Sequence, residues 1–476
     1  MSVEIELVLV LRHGPTLRHR PDVTPPRGPA AAPMRPRCYR RPDARRPGPP
    51  VRIAIVGAGI AGLGAARALA GPHEVTVLEA AAAPGGHAYT VDAGGGACVD
   101  MGFIVCNRER YPHFFRLLAE LGVATRPTTM SFSVAVSDSR LGGGLEWGSA
   151  SASALFADRR RLVDPRHWRF LAEVARFLGR GRRDLDRGRI GAASLDDYAR
   201  AIGASRELRD RFLVPLAAAL WSLAPDRCGD FPAETYLRFL DQHGMLRAVR
   251  PLAWHTVAGG SRRYVDALVA RLRATGRCAL ELATPVAAIE RDPAGVTVLA
   301  GGRARRFDRI VLATHADTAL RLLARPSADE RRVLGAFRYS TNRTVLHTDR
   351  SFLPRRLAAH ASWNYVADPD TARVAVTYSM TRLQGLPDAP YLVTLNPRTP
   401  PRGVLHEAVF EHPQLDRAAI AAQAELPRLT GAHRTYYAGA YFGFGFHEDA
   451  LRAGLAAAAR AMLDEHAGEP AREAAP

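Results

Sequence analysis

The chain of 476 residues contains no lysine, so all 65 of its lysine-or-arginine positions are arginine. This absence excludes a Schiff-base lysine and a lysine general base. The five cysteines are scattered without a CxxC pair, which excludes a disulfide framework and the usual zinc spacings. No apolar run reaches the roughly 18 residues that a membrane-spanning helix needs. Because Glu4 and Glu6 stand where a signal peptide is positively charged, we expect a cytoplasmic protein.

Positive charge is in excess, with a formal net charge of +18. Such a field favours anionic partners, and we expect a peripheral contact with an anionic membrane. No DNA-binding or RNA-binding module is visible, so nucleic acid is not an expected partner. Residues 1–50 are dense in proline and arginine and are predicted to be a disordered leader, or a start placed too far upstream of Met34. Residues 466–476 are predicted to be a tail.

A glycine-rich turn near residue 60 is the strongest local pattern. A short β-branched run (Val51–Val56) precedes it, an apolar helical pattern follows, and a second strand (Glu74–Leu78) ends at Glu79. This spacing is typical of dinucleotide binding, in which the glycines bring backbone N–H groups to a pyrophosphate and the acid binds an adenosine ribose. The alternative is a glycine-rich turn without a ligand. The turn comprises Gly57, Ala58, Gly59, Ile60, Ala61 and Gly62.

The rest of the pattern predicts an α/β fold with two domains. We expect a Rossmann-like nucleotide-binding domain around a parallel sheet, formed by residues 51–130, 251–325 and 426–465. A second α+β domain, inserted twice, is predicted in residues 131–250 and 326–425. Its first part contains helical segments with Ser194 and Ser205 as N-caps, and its second part contains strand-forming segments typical of an antiparallel sheet.

A second glycine pair follows Glu79 in the segment PGGHAYTVD, residues 84–92. With VGAGIAGL before it and GAYFGFGFHEDALRAG near the end, the chain resembles the FAD-dependent amine oxidase and phytoene-desaturase-like superfamily. It is most similar to a bacterial branch of predicted NAD/FAD-binding amine-oxidase-like proteins. The similarity covers residues 51–463 in eight ordered blocks.

The resemblance implies FAD as the cofactor. It implies pyrophosphate contacts from the glycine turn, a ribose contact from Glu79, phosphate or flavin contacts from the second glycine pair, and an adenine contact from one strand. It also places one glycine beside the isoalloxazine ring and the start of the last helix beneath the flavin. The residues so implied are Gly57, Gly59, Ile60, Ala61, Gly62, Glu79, Gly85, Gly86, His87, Gly102, Val286, Gly439, Phe446, His447 and Glu448.

Several positions depart from the family pattern. His87 stands where the family has arginine, and Tyr441 stands where an acidic residue often holds the ribityl chain. The closing block has no cysteine, so we expect FAD to be bound non-covalently. His447 and Tyr441 are the candidate catalytic residues, and the alternative for His447 is a helix-capping side chain beside the flavin. We expect no metal site.

Three functions are compatible with these residues. The first is an FAD-dependent oxidoreductase that abstracts a hydride from a C–H bond of a small apolar substrate, either an acyl lipid, an isoprenoid or an amine. The second is a flavin-dependent isomerase or mutase without net redox change. The third is a non-catalytic FAD-binding partner in a lipid-modifying complex. The electron acceptor is left open.

Overall fold

The computed structural model describes residues 50–136, 144–221, 226–246, 252–368, 373–386, 389–397 and 399–467. The predicted leader, apart from Pro50, and residues 468–476 of the predicted tail lie outside these ranges.

The described residues form twenty strands in five sheets. In chain order they are β1 Arg52–Val56, β2 Glu74–Leu78, β3 Thr90–Asp92, β4 Cys98–Asp100, β5 Cys106–Asn107, β6 Thr125–Thr128, β7 Phe132–Val136, β8 Leu145–Gly148, β9 Trp254–Val257, β10 Cys278–Glu281, β11 Val286–Asp292, β12 Gly295–Ala300, β13 Arg303–Phe307, β14 Arg309–Leu312, β15 Arg338–His347, β16 Trp363–Asp368, β17 Arg373–Ser379, β18 Leu392–Leu395, β19 Val404–Gln414 and β20 Thr435–Tyr437.

The described residues also form fifteen α-helices, six of which follow one another between β8 and β9. They are α1 Ile60–Leu69, α2 Pro112–Leu121, α3 Ala152–Leu155, α4 Pro165–Asp186, α5 Leu195–Ala201, α6 Arg206–Leu208, α7 Val214–Trp221, α8 Ala233–Gln242, α9 Arg262–Ala274, α10 Ala316–Leu322, α11 Ala328–Leu334, α12 Met380–Gln384, α13 Arg417–Gln423, α14 Leu426–Leu429 and α15 His447–Ala467. As predicted, Ser194 and Ser205 cap α5 and α6 through their side-chain oxygens.

A five-stranded parallel sheet has the order β10-β2-β1-β14-β20. Four of the five residues of β1 are buried, as a strand covered on both faces requires. In the register, Val56 pairs with Leu78 on one side and with Leu312 on the other. The three central strands therefore end at the same edge, where open parallel sheets bind their ligands.

Helices α1 and α15 cover one face of this sheet and approach each other at two glycines. A Cβ on Gly454 would overlap the carbonyl oxygen of Ala61, and a Cβ on Gly64 would lie 2.6 Å from the Leu451 side chain. This close approach fixes the first turn of α15 beside the glycine turn that precedes α1.

The second large sheet has seven strands in the order β19-β15-β18-β17-β16-β7-β8. Its pairs are antiparallel except for β7 and β16, which run parallel. The predicted antiparallel sheet is therefore mixed, because the first part of the inserted region contributes β7 and β8 as well as helices. A cluster of buried apolar side chains joins these strands to α4, α5, α7 and α8. The proposed division into domains rests on this separate core.

The region from residue 326 to 425 does not belong to one core. Helices α11 and α13 pack their buried side chains with those of β1, β14 and β20. This part of the region lies against the parallel sheet, although its strands belong to the seven-stranded sheet. Among the helices that the structure describes, none combines the length and apolarity that a bilayer-spanning segment requires.

Candidate cofactor and substrate site

A cavity of about 1530 Å³ begins at the carboxyl ends of β1 and β2 and extends to the seven-stranded sheet. It exceeds the roughly 300–1,000 Å³ of an ordinary small-molecule pocket, so it has room for a dinucleotide and a second ligand. Two predicted site residues, Gly62 and Glu448, are not part of its wall. The predicted residues that line it are Gly57, Gly59, Ile60, Ala61, Glu79, Gly85, Gly86, His87, Gly102, Val286, Gly439, Tyr441, Phe446 and His447.

The three glycines of the first turn have different surroundings. Gly57 has a φ of +103°, and a Cβ there would lie 2.7 Å from the carbonyl oxygen of Ala313. A Cβ on Gly62 would overlap the carbonyl oxygen of Gly57. A Cβ on Gly59, by contrast, would have no atom within 4 Å and would project into open space. Two of the glycines thus make the turn possible, and Gly59 leaves an open cradle at the start of α1.

The Glu79 carboxylate is fixed at the end of β2 by two backbone donors. Oε2 accepts a hydrogen bond of 2.6 Å from the amide of Ala58, and Oε1 accepts one of 2.8 Å from the amide of Ala81. These bonds use one lone pair on each oxygen and leave the others for a ligand. A carboxylate so placed is suited to accept hydrogen bonds from a ribose diol.

The second glycine pair lies directly against the first turn. The amide of Gly85 donates to the carbonyl oxygen of Ala58 at 2.9 Å, and a Cβ on Gly86 would lie 3.3 Å from the Cα of Gly59. Gly86 has a φ of +57°, which favours glycine. A Cβ on Gly102 would overlap the carbonyl oxygen of His87. Backbone rather than side chains therefore forms this part of the wall.

Three histidines from distant parts of the chain meet beside the glycine pair. The ring centroid of His87 lies 6.2 Å from that of His315 and 5.7 Å from that of His412. Burial and the two neighbouring imidazoles lower the pKa of His87 to about 3, and burial lowers that of His412 to about 4. The Nδ1 of His315 lies 3.2 Å from Glu411. The sequence predicted His87 alone, since no local pattern connects it with the other two.

His447 begins α15 and is held on several sides. Its Nε2 lies 2.8 Å from the Tyr264 hydroxyl, and its ring stacks on Phe103 with centroids 3.8 Å apart. Burial, together with His87, lowers the pKa of His447 to about 3. The imidazole is therefore neutral near pH 7 and its Nε2 is engaged. This arrangement favours the alternative of a fixed side chain over the predicted general acid or base.

The Glu448 side chain is turned away from the cavity. Oε1 accepts from the backbone N–H of His113 at 2.9 Å and lies 2.7 Å from the ring Nδ1 of that residue. Oε2 accepts from the backbone N–H of Phe114 at 3.0 Å. The carboxylate thus stabilises the start of α2. Because both oxygens are engaged at α2, the geometry gives no support to a cofactor contact from this side chain.

Tyr441 contributes its ring to the wall but not its hydroxyl. The side chain is 1 % exposed, and its hydroxyl is buried with no hydrogen-bond partner among the described residues. Burial raises the pKa of this phenol well above its ordinary value. The ring packs against Phe337 and Phe442. The geometry therefore gives no support to the prediction of a catalytic Tyr441.

The part of the cavity remote from the glycine turns is aromatic. Phe239 lies 5.0 Å, between ring centroids, from both Trp221 and Phe446, and Trp363 makes an edge contact with Tyr378 at 5.3 Å. Sequence patterns pointed to only some of the aromatic residues that line this part. They are Trp221, Phe239, Trp254, Trp363, Tyr378, Phe444 and Phe446.

Charged side chains are few on the described part of the wall. The carboxylates are Glu79 and Glu411, and the arginines are Arg321 and Arg382. Glu79 is held by backbone amides, and Glu411 is paired with His315. The described residues contain no cluster of three or more histidine, cysteine or acidic side chains arranged to hold a metal ion.

The wall fits FAD by two structural criteria. The open cradle at Gly59 lies at the N-terminus of α1, where backbone N–H groups and the helix dipole favour phosphate oxygens. The carboxylate of Glu79, fixed at the end of β2, is suited to accept hydrogen bonds from the adenosine ribose of such a dinucleotide. The described lining contains no cysteine, in agreement with a cofactor that is not attached through a thioether.

Comparison with known proteins supports the same conclusion. Residues 60–410 match the family model described as flavin containing amine oxidoreductase. No curated protein matches the sequence.

Solved structures with the same fold are also found. Cyclohexylamine oxidase from Brevibacterium oxydans IH-35A aligns with a TM-score of 0.63 and 18 % identity over 88 % of this chain and 100 % of that one. A CLA-producing fatty acid isomerase from P. acnes aligns with a TM-score of 0.62 and 18 % identity over 86 % and 98 %. A putative protoporphyrinogen oxidase from Exiguobacterium sp. 255-15 gives 0.60 and 16 % over 87 % and 99 %.

The family match extends over more than half of the chain, and the parallel sheet, the glycine turn and the large cavity agree with it. The chain belongs to the family of flavin-containing amine oxidoreductases and is an FAD-dependent oxidoreductase.

Proposed function

We propose that the enzyme oxidises a C–H bond of an apolar substrate whose head group is neutral or anionic, such as an acyl lipid or an isoprenoid acid. The observation that supports this proposal is the composition of the wall beyond the glycine turns. That wall is aromatic and aliphatic, and both carboxylates on the described lining already have partners.

A protonated amine that enters this cavity would find no free carboxylate on the described lining to balance its charge. Glu79 lies at the ribose position, and Glu411 is paired with His315. Aromatic faces attract cations when they are not opposed by other charges. Here two arginines, Arg321 and Arg382, line the same cavity, and the chain as a whole has a net charge of +18. The balance of charge therefore disfavours a cationic substrate.

Arg382 is the residue on which we place the anionic head group. It lies on the short helix α12, its side chain is exposed, and it makes no ion pair or hydrogen bond within the described part of the chain. Trp363 and Tyr378, which line the cavity too, supply apolar surface for a chain bound with its carboxylate at Arg382. An arginine guanidinium can bind a carboxylate through two parallel hydrogen bonds.

FAD, when bound, supplies the acceptor for the two electrons and two hydrogens that the substrate loses as a carbon–carbon double bond forms. The residues of the chain position the cofactor and the substrate and keep water out of the cavity. We place the pyrophosphate at Gly57 and Gly59, in the turn that Gly62 makes possible, and the adenosine ribose at Glu79. The aromatic wall would orient the substrate and exclude water, which such a reaction requires more than an acid or a base. A reaction that depends on positioning more than on a protein acid or base agrees with the engaged imidazole of His447 and the buried hydroxyl of Tyr441.

The test is an anaerobic titration of the purified holoenzyme, followed by the flavin absorbance. Three probes of equal chain length are compared: a long-chain carboxylic acid, the corresponding alcohol and the corresponding amine. We expect the acid to perturb or bleach the flavin at the lowest concentration. In Arg382→Gln the preference for the acid over the alcohol should fall about tenfold, the order of one charge-assisted hydrogen bond. Bleaching by the amine alone would refute the proposal.

The second candidate, an isomerase without net redox change, is tested with the same samples. In that case product would form only after the flavin had been reduced, and no electron acceptor would be consumed. The fold of the fatty acid isomerase shows that this architecture permits such a reaction, but at 18 % identity it does not favour it here.

A further inference from the structure

The two most exposed large apolar side chains of the described residues, Val163 and Leu357, lie on two neighbouring surface segments. Val163 is 87 % exposed and Leu162 is 46 % exposed at the end of the 3-10 helix Arg159–Val163. Leu357 is 74 % exposed at the start of the 3-10 helix Leu357–Ala359. A single exposed apolar residue needs no explanation, but three on adjoining segments form a patch.

An ion pair joins the two segments, and hydrogen bonds fix one of them to β8. Arg356 lies 3.5 Å from Asp158, the residue that precedes the first segment. Glu146 accepts hydrogen bonds from the backbone N–H groups of Arg355 and Arg356, at 2.8 and 3.0 Å. The segment around Leu162 is itself fixed, because the Trp168 indole donates to the Leu162 carbonyl oxygen at 2.8 Å. The exposed side chains are therefore presented by ordered backbone.

Arginines without carboxylate partners flank the apolar side chains in sequence. Others nearby are neutralised, as Arg160 is by Asp158 and Arg161 by Asp164. Within residues 159–166 and 350–357, the exposed arginines that have no acidic partner among the described residues are Arg159, Arg166, Arg350 and Arg355. We call these four, together with Leu162, Val163 and Leu357, the basic apolar patch.

The patch adjoins the substrate end of the cavity. The chain reaches the patch from Ser149 and Ala150, which line the cavity. On the other side, the His360 ring lies against the patch, because its Nε2 is 2.8 Å from the carbonyl oxygen of Pro354, the residue before Arg355. Burial lowers the pKa of His360, and so do the charges of Arg382, which lines the cavity, and of Arg350, which belongs to the patch.

We propose that the basic apolar patch docks the enzyme on an anionic lipid bilayer, with Leu162, Val163 and Leu357 entering the interface and the free arginines meeting the headgroups. Apolar tips surrounded by basic side chains are the combination that an anionic membrane surface binds, through burial and electrostatic attraction together. A protein partner would have to supply an acidic rim around an apolar hollow, whereas a bilayer supplies both everywhere. The inference does not depend on which substrate the enzyme oxidises.

The test is co-sedimentation of the full-length holoenzyme with vesicles. Vesicles of phosphatidylcholine and phosphatidylglycerol in equal parts are compared with vesicles of phosphatidylcholine alone. We expect binding to the anionic vesicles that weakens as salt is added. The triple variant Leu162→Ser, Val163→Ser, Leu357→Ser should bind at least about tenfold more weakly.

Matched variants separate the patch from general surface effects. Val409 is 64 % exposed and Leu463 is 65 % exposed, both outside the patch, so Val409→Ser with Leu463→Ser should leave vesicle binding unchanged. Likewise Arg159→Gln with Arg355→Gln should weaken binding, whereas Arg116→Gln with Arg303→Gln, also exposed, should not. All variants retain residues 1–49, so the arginines of that region cannot account for a difference.

Equal binding of the wild type and the triple variant would overturn the proposal, as would equal binding to neutral and anionic vesicles. If the patch instead joins two copies of the chain, the triple substitution would change the mass measured by light scattering without vesicles. That result would also overturn the proposal. Flavin content and reduction by substrate in detergent-free solution should be the same in wild type and triple variant, which separates this test from that of the oxidation reaction.

Discussion

The two ends of the cavity are built by different means. At the nucleotide end the wall is backbone: the glycine turn before α1, the second glycine pair, and a carboxylate held by two amides. At the substrate end it is side chain: aromatic rings from α7, α8, the seven-stranded sheet and the loop before α15. A wall of backbone atoms is suited to a cofactor that does not vary. A side-chain wall can change with little effect on the fold, so substrate choice belongs there.

The largest effect is expected within the glycine turn, where two neighbouring glycines should fail in different ways. In Gly62→Ala the new Cβ overlaps the carbonyl oxygen of Gly57, so we expect loss of stability of about 3 kcal/mol or more and poor folding. In Gly59→Ala the Cβ meets no protein atom, and the φ of −72° suits alanine. That variant should fold normally.

The discriminating measurements on this pair are urea unfolding of the apoprotein and FAD titration by fluorescence. Gly59→Ala should keep its unfolding midpoint and lose FAD affinity at least tenfold, because its methyl group occupies the cradle. If Gly59→Ala binds FAD as the wild type does, the cradle is not the pyrophosphate site, and the assignment of the nucleotide end fails.

Glu79 is the acidic side chain at the nucleotide end. Glu79→Gln keeps the size of the side chain but removes the charge that two amides and the proposed ribose diol share. Charge-assisted hydrogen bonds contribute about 1.5–3 kcal/mol, so the dissociation constant for FAD should rise roughly 10- to 150-fold. Isothermal titration calorimetry measures it. Arg382→Gln, at the other end of the cavity, is the control and should leave FAD affinity unchanged.

Much of the nucleotide end was predictable because its signals are local. The strand, the glycines, α1 and Glu79 fall within thirty residues of each other, and each spacing has one physical meaning. Sequence patterns did not predict β10, a short strand at the edge of the parallel sheet whose residues alternate without an apolar run. Nor did they predict the parallel pairing of β7 with β16, which joins residues more than two hundred positions apart.

Orientation was harder to predict than position. Tyr441 and Glu448 lie near the expected place, yet the hydroxyl of one is buried and the carboxylate of the other caps α2. The direction of a side chain depends on neighbours that are distant in sequence, such as Phe337 for Tyr441 and His113 for Glu448. His315 and His412 had no local signal, and only the fold brings them to His87.

The boundary between the two ends is occupied by His447, and its burial predicts acid sensitivity. In the folded protein the pKa of His447 is about 3, below its ordinary value. At mildly acidic pH the unfolded chain therefore binds a proton at this residue that the folded chain does not bind. Stability is therefore complete above pH ~6.5 and falls as the pH decreases, by about 2 kcal/mol at pH 5 for this group. In His447→Gln the free energy of unfolding should depend less on pH between these values.

The control for this prediction is His433→Asn. His433 is exposed, and its φ of +50° suits asparagine. Chemical unfolding of the apoprotein at several pH values measures each slope. The same slope in His447→Gln and in the wild type would show that other groups, such as the buried His347, account for the acid sensitivity.

The smallest effect concerns the histidines beside the second glycine pair. They are side chains at the end of the cavity whose wall is otherwise mostly backbone. The Phe410 ring lies 5.2 Å from that of His87, and the titratable groups nearby are His315, His412, Glu411 and His447. Because Glu411 is already paired with His315, burial and mutual repulsion keep His87 and His412 neutral, with lowered pKa values. A diphosphate bound at the adjoining turn supplies negative charge, so FAD binding should take up protons.

The affinity for FAD should therefore increase as the pH falls through the neutral range, by at most about tenfold per pH unit for each proton taken up. Calorimetry in two buffers of different ionisation enthalpy counts these protons directly. His87→Gln should take up fewer protons and bind more weakly. His87→Arg restores a permanent cation, so it should bind well with a flatter pH profile. If the wild type takes up no proton on binding FAD, the histidine cluster contributes packing but no charge. Glu79 would then be the charged side chain that the described nucleotide end presents to the cofactor.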